Sequence, residues 1–129
     1  MTIAITPLYA GIIALLFIYL SYRVIIVRRG DRISLGDGER PDMAYRIRAQ
    51  ANCAEYAPLG LILLLMTELQ GAPVWVVHLL GLMLVIGRLM HSWAFSQRPH
   101  NLKARTYGMM LTLAMITFSA IANIGHALF

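Results

Sequence analysis

The chain has 129 residues, 59% of them hydrophobic and only 13% charged, against about a quarter charged in a soluble domain. That length allows a single domain. The net charge of +5 does not mark a nucleic-acid binder, because no stretch carries such a pattern and basic loops beside apolar spans follow the positive-inside rule.

The first apolar block covers residues 7–27, with Arg23 as its only charge. That is about the 20 residues needed to cross a hydrocarbon core of about 30 Å. No basic stretch precedes it, so it reads as a retained helix rather than a cleaved signal. It stops at Arg28-Arg29-Gly30-Asp31-Arg32, and residues 34–41 then read as an exposed loop punctuated by Gly, Asp and Pro.

The second block is expected to be helical over residues 42–70, yet only residues 57–66 are strictly apolar. A full crossing must recruit the polar stretch 49–56, which places Asn52 and Glu55 at or inside the membrane edge. Pro58 removes a backbone donor and is placed to bend this helix. Gly71-Ala72-Pro73 is a tight turn into a third helix over residues 74–95, whose charge, Arg88, comes late. A second polar loop covers residues 96–101, and the last block, residues 106–128, carries no charge apart from any protonated His126.

All eleven Lys and Arg residues fall between positions 23 and 48 or between 88 and 105. Four spans with both basic loops on one side put both termini on the other, and the basic side is expected to be cytoplasmic. The expected fold is therefore all-α, an integral membrane four-helix bundle of up-down topology occupying residues 1–129.

A charge inside a membrane helix costs at least about 2.5 kcal/mol near the centre, so such residues invite a functional reading. At about 100° per residue, Arg48, Asn52 and Glu55 lie within about 60° of one another, with Tyr56 beside them and Cys53 facing away. A cation, an amide and a carboxylate in one stripe can bind a zwitterion or can satisfy each other, and spacing alone leaves both open. A second stripe, Arg88, His91 and Phe95, shares its depth, and Arg28, Arg29, Lys103 and Arg105 crowd the same level. Together they favour a basic pocket for an anionic, water-soluble ligand that meets an apolar partner.

The remaining polar residues carry less. His78 and His126 are expected to be interfacial or hydrogen-bonded, the Met residues to pack against core or lipid, and Cys53 to pack rather than react. No metal-ligand spacing, Gly-rich phosphate loop or Ser-His-Asp set is present. A transporter is disfavoured, since the charges sit at one edge with no polar path across.

The run Arg48-Ala49-Gln50-Ala51-Asn52-Cys53-Ala54-Glu55-Tyr56-Ala57-Pro58 resembles the signature of the MAPEG family, the membrane-associated proteins of eicosanoid and glutathione metabolism. It is especially close to that of the family's leukotriene branch. Residues 21–29 resemble the end of the family's first helix, and Gly87-Arg88-Leu89-Met90-His91 is similar to its prostaglandin branch.

This resemblance, which covers essentially the whole chain, implies a homotrimer with glutathione as cosubstrate, bound between neighbours at the cytosolic side. Arg48, Asn52, Glu55 and Tyr56, with Gln50, Arg28 and Arg88, would hold the tripeptide; Glu55 would meet its ammonium and the arginines its carboxylates. Arg105, Arg29 and His91 form the implied catalytic set: Arg105 beside the thiolate, Arg29 near the leaving group, His91 lining the pocket with Arg88. Two departures stand out. His91 replaces a tyrosine of the leukotriene branch, and Phe95 replaces a second tyrosine common to both branches. The loop before Arg105 also differs in length, which leaves Lys103 as an alternative counterpart.

The function so implied is a glutathione transferase or peroxidase that detoxifies lipophilic electrophiles reaching it from the bilayer. The alternative is a catalytically idle protein of the same fold that binds membrane lipid or another ligand. Compact length and sparse loops point to a bacterial inner-membrane protein.

Overall fold

A computed structural model describes residues 2–129. Four helices follow in chain order: α1 (Thr6–Asp31), α2 (Pro41–Leu69), α3 (Val74–Ser96) and α4 (Leu102–Leu128). Three of them, α1, α3 and α4, are long and apolar enough to cross a membrane by themselves. The fourth, α2, falls short for the reason visible in its sequence: its first half carries the polar stretch. It is nevertheless one continuous helix through Pro58, built into the bundle by a buried face of Ala49, Cys53, Ala57, Gly60 and Leu64.

At the basic end the helices outrun the apolar blocks. Helix α1 continues through Arg28 and Arg29 to Asp31, and α4 starts at Leu102 rather than Thr106. Hydrophobicity marks where lipid ends, not where a helix must end. Arg28 and Arg29 in the last turn of α1 suit the negative end of its dipole. The start of α4 is capped by Asn101, whose side chain accepts from the Ala104 N–H at 3.1 Å.

Helices α2 and α3 form the centre. Both touch α1, and both touch α4, while α1 and α4 do not meet among the described residues. The most extensive pairing joins α3 to α4, made possible by two glycines. A Cβ on Gly87 would lie 2.8 Å from the Gly108 carbonyl oxygen, and one on Gly108 would lie 2.7 Å from that of Gly87. Backbone stands against backbone there, the close approach that small residues permit in membrane bundles.

The opposite end is tied by uncharged and capping contacts. Helix α1 has no cap of its own. Glu68, in the last turn of α2, accepts instead from the backbone N–H groups of Ala4, Ile5 and Thr6 at 2.7–2.8 Å, a carboxylate at the positive end of a helix. His78 is hydrogen-bonded to the Tyr9 hydroxyl at 2.8 Å. Trp75 and Trp93 stand exposed on α3, about 27 Å apart along the helix at about 1.5 Å per residue. That separation fits aromatic belts at the two surfaces of a core about 30 Å thick.

Candidate functional site

The site grows from Arg88, just inside the level of Trp93 on α3. Its side chain is only 1% exposed, an expensive place for a permanent cation. Its Nε donates to Thr112 Oγ1 at 3.0 Å, Nη1 reaches both the side-chain and backbone oxygens of Asn52, and Nη2 points to Met109 Sδ at 3.0 Å. Thr112 in turn donates to the Gly108 carbonyl at 2.9 Å. The Tyr56 ring lies 5.6 Å from the guanidinium carbon, within cation–π range. Every one of these partners is neutral. The positive charge is held in place and left uncompensated.

More charge surrounds it. His91, one turn further along α3, is buried and packs edge-on against Phe95 at 5.0 Å. Arg105 lies over the Phe95 ring at 4.9 Å, so this phenyl carries the arginine from α4. Lys103, two residues earlier, is exposed and makes no polar contact among the described residues. Arg105 is exposed as well, but of the two candidate cations on α4 it is the one that contacts this cluster, through the Phe95 ring.

Arg48 and Glu55 lie on the outward face of α2, 55% and 53% exposed, and pair with each other at 3.6 Å. They share that flank with Leu59, Ile62 and Met66. An ion pair on a face that turns apolar within one helical turn is ill-suited to lipid, yet accessible to a ligand or a second protein surface. Asn52, expected to hold a ligand, turns inward and orders Arg88 instead.

The remaining expected residues lie elsewhere. Gln50 faces α1, its amide 3.5 Å from Ser21 Oγ. Arg28 donates to the carbonyls of Ile33 and Gly36 at 3.4 and 2.9 Å, so it also braces the loop after α1. Arg28 and Arg29 line a separate shallow pocket with Arg32, Ile33 and Ser34. Because α1 does not touch α4, a single subunit does not unite these arginines with Arg105.

A collar of loop residues closes the basic end. Arg98 pairs with Asp42, which also meets Arg46 at 3.4 Å, and lies over Tyr45 at 5.0 Å. Tyr45 and Phe95 both pack against His100. Partial burial, then the neighbouring Arg98 and Arg105 guanidiniums, hold His100 below the usual histidine range. The neutral ring can therefore accept from Arg98 through Nε2 at 2.9 Å.

Sequence reasoning missed Thr112, Met109, Tyr45 and His100. Thr112 had a signal, as a hydroxyl one turn after a glycine within an apolar span. Met109 had none.

The chemistry available is that of anion binding beside an apolar boundary. An uncompensated buried guanidinium, two further arginines and one exposed carboxylate suit a ligand with several negative groups and one positive group.

Comparison with known proteins gives a consistent picture. The family model described as the MAPEG family matches residues 6–125. The inner membrane protein YecN of Escherichia coli is 35% identical over 122 residues, covering 95% of this chain and 92% of its own. Leukotriene C4 synthase of Cavia porcellus is 34% identical over 118 residues, covering 84% of this chain and 75% of its own.

Proposed function

Because the chain belongs to the MAPEG family, we propose that it is a membrane glutathione transferase or peroxidase acting on lipophilic electrophiles. The observation that carries this reading is the buried Arg88, fixed by four contacts to three neutral residues and left without a counter-charge. A structural arginine would be expected to find a carboxylate; one held ready for an anionic ligand would not.

In this reading Arg88, Arg48 and Arg28 bind the carboxylates of glutathione, Glu55 its ammonium, and Tyr56 flanks the tripeptide. Asn52 acts as a positioning residue through Arg88, and Gln50 steadies α2 against α1. Glutathione supplies the thiol, whose ionised form is the nucleophile; free, such a thiol has a pKa near about 8.5 and is mostly protonated at neutral pH. Arg105, braced on Phe95, places a cation beside the sulfur and raises the ionised fraction. His91 lines the pocket below it. In transfer, a carbon–sulfur bond forms and the leaving group departs with its electron pair, assisted by Arg29. In peroxide reduction, two thiols yield one disulfide while the hydroperoxide becomes an alcohol and water.

The assembly proposed is a homotrimer. Its support is that α1 and α4 stand apart in one subunit, so Arg28 and Arg29 reach Arg105 only from a neighbouring copy. The exposed Arg48–Glu55 flank of α2 would be covered at the same contact. The basic end is assigned to the cytoplasm, where glutathione is made, and the membrane to the bacterial inner membrane, as YecN's name has it for that relative.

Purified protein should conjugate glutathione to a chlorodinitrobenzene. Arg105→Ala should lower kcat about a hundredfold, the scale of removing one group that stabilises developing charge, whereas Lys103→Ala should leave it unchanged. Absence of wild-type turnover above the uncatalysed rate would refute the enzyme reading, and sensitivity at Lys103 instead of Arg105 would refute the assignment on α4.

A further inference from the structure

At the basic end of α1 lies a shallow pocket of about 380 Å³ lined by Arg28, Arg29, Arg32, Ile33 and Ser34. Arg32 closes the helix in a left-handed conformation, φ 55°, which folds the chain back so that three guanidiniums and the Ser34 hydroxyl share one concavity. Arg28 is held there by the carbonyls of Ile33 and Gly36. The nearby acid, Asp31, is engaged by Arg40, and Asp37 accepts the Glu39 N–H at 2.9 Å. None of Arg28, Arg29 and Arg32 forms an ion pair among the described residues.

A second observation concerns what lies beneath. Leu15, Ile18, Tyr22, Ile25 and Arg29 recur at three- or four-residue spacing on α1, and the first four are exposed large apolar side chains. They form one stripe descending from the pocket into the membrane. Leu15 is 73% and Tyr22 60% exposed, so the stripe faces lipid in the isolated subunit.

We propose that this pocket and stripe bind an anionic phospholipid of the same leaflet, the phosphate held by Arg28, Arg29, Arg32 and Ser34 and an acyl chain lying along Tyr22 toward Leu15. Three arginines at a membrane surface attract acidic headgroups, and guanidinium and hydroxyl donors match phosphate oxygens. A free phosphate would satisfy the arginines equally but leave the stripe without a role. This site shares Arg28 and Arg29 with the proposed glutathione site, whereas Arg32 and Ser34 belong to the lipid site alone, so the two readings can fail separately.

The test reconstitutes the full chain in vesicles of equal phosphatidylglycerol and phosphatidylethanolamine and identifies retained lipid by native mass spectrometry. Phosphatidylglycerol should be enriched on the wild type. Arg32→Gln should reduce that enrichment about fivefold, the effect of one surface arginine, and Arg32→Lys should retain most of it. Glutathione affinity should be unchanged in Arg32→Gln, whose side chain is exposed and forms no ion pair among the described residues. Equal retention of the two lipids, or full enrichment on Arg32→Gln, would overturn the proposal. Complete displacement of phosphatidylglycerol by millimolar inorganic phosphate would likewise overturn it, by reassigning the pocket to a soluble anion.

Discussion

Arg88 is the residue on which the proposed site turns, because it is buried without a counter-charge. A buried guanidinium that meets only amide, hydroxyl and thioether groups keeps much of its desolvation cost. Replacing it with a neutral chain of similar length should therefore separate binding from stability. Arg88→Met is expected to lower glutathione affinity by about ten- to a hundredfold, the scale of a lost charge-assisted contact of about 1.5–3 kcal/mol. The thermal midpoint should move little, since relief of the buried charge offsets an Asn52 oxygen left without its donor. A collapse of the midpoint, with affinity intact in the folded fraction, would make Arg88 a structural residue. Arg88 and Asn52 were both legible as polar positions in apolar helices. Their mutual bond was not, because the angle around a helix fixes which residues share a face but not which neighbour that face meets. Gln50 shows the same limit: grouped by sequence with the ligand residues, it faces Ser21 on α1.

Among the elements, the α3–α4 pair sets the geometry of the cations. Arg88 and His91 come from one helix and Arg105 from the other, and the spacing between them depends on Gly87 and Gly108. Gly108→Ala would put a methyl 2.7 Å from the Gly87 carbonyl oxygen and 2.8 Å from the His91 nitrogen, both backbone atoms that cannot swing aside. It should cost about 1–3 kcal/mol of stability and weaken glutathione binding, with the loss read by thermal melting and titration; an unaffected variant would show that the helices separate freely. The collar offers a pH-dependent counterpart. His100 has a lowered pKa when folded, so the unfolded chain binds more protons, and its stabilising contribution is full above the unfolded value of about 6.5 and declines as pH falls toward the folded value. Hydrogen exchange in the loop between α3 and α4 should accelerate over that acid range, and His100→Gln should flatten the response. Element type and order were readable from hydropathy, as were the basic-side ends of α2 and α3 to within one residue; those of α1 and α4 were not, because these helices persist past the lipid boundary where apolar residues are no longer required.

For the whole molecule, the four helices in their order and the gathering of the basic residues at one end of the bundle followed from sequence, since both depend on charge and hydrophobicity along the chain. The separation of α1 from α4 did not, since it depends on how four similar apolar cylinders pack. That separation is why the proposed site needs a second copy: one subunit offers Arg88, His91, Arg105 and the Arg48–Glu55 flank, and another brings Arg28 and Arg29. The proposed oligomer, orientation and chemistry all hang on one claim, that this bundle binds glutathione and ionises its thiol. A pH titration of the thiolate absorbance, with glutathione added to the detergent-solubilised protein, tests it most directly. The account predicts a bound thiol that ionises well below the free value of about 8.5, with the shift lost in Arg105→Ala. Glutathione that binds with an unshifted thiol, or does not bind, would contradict it.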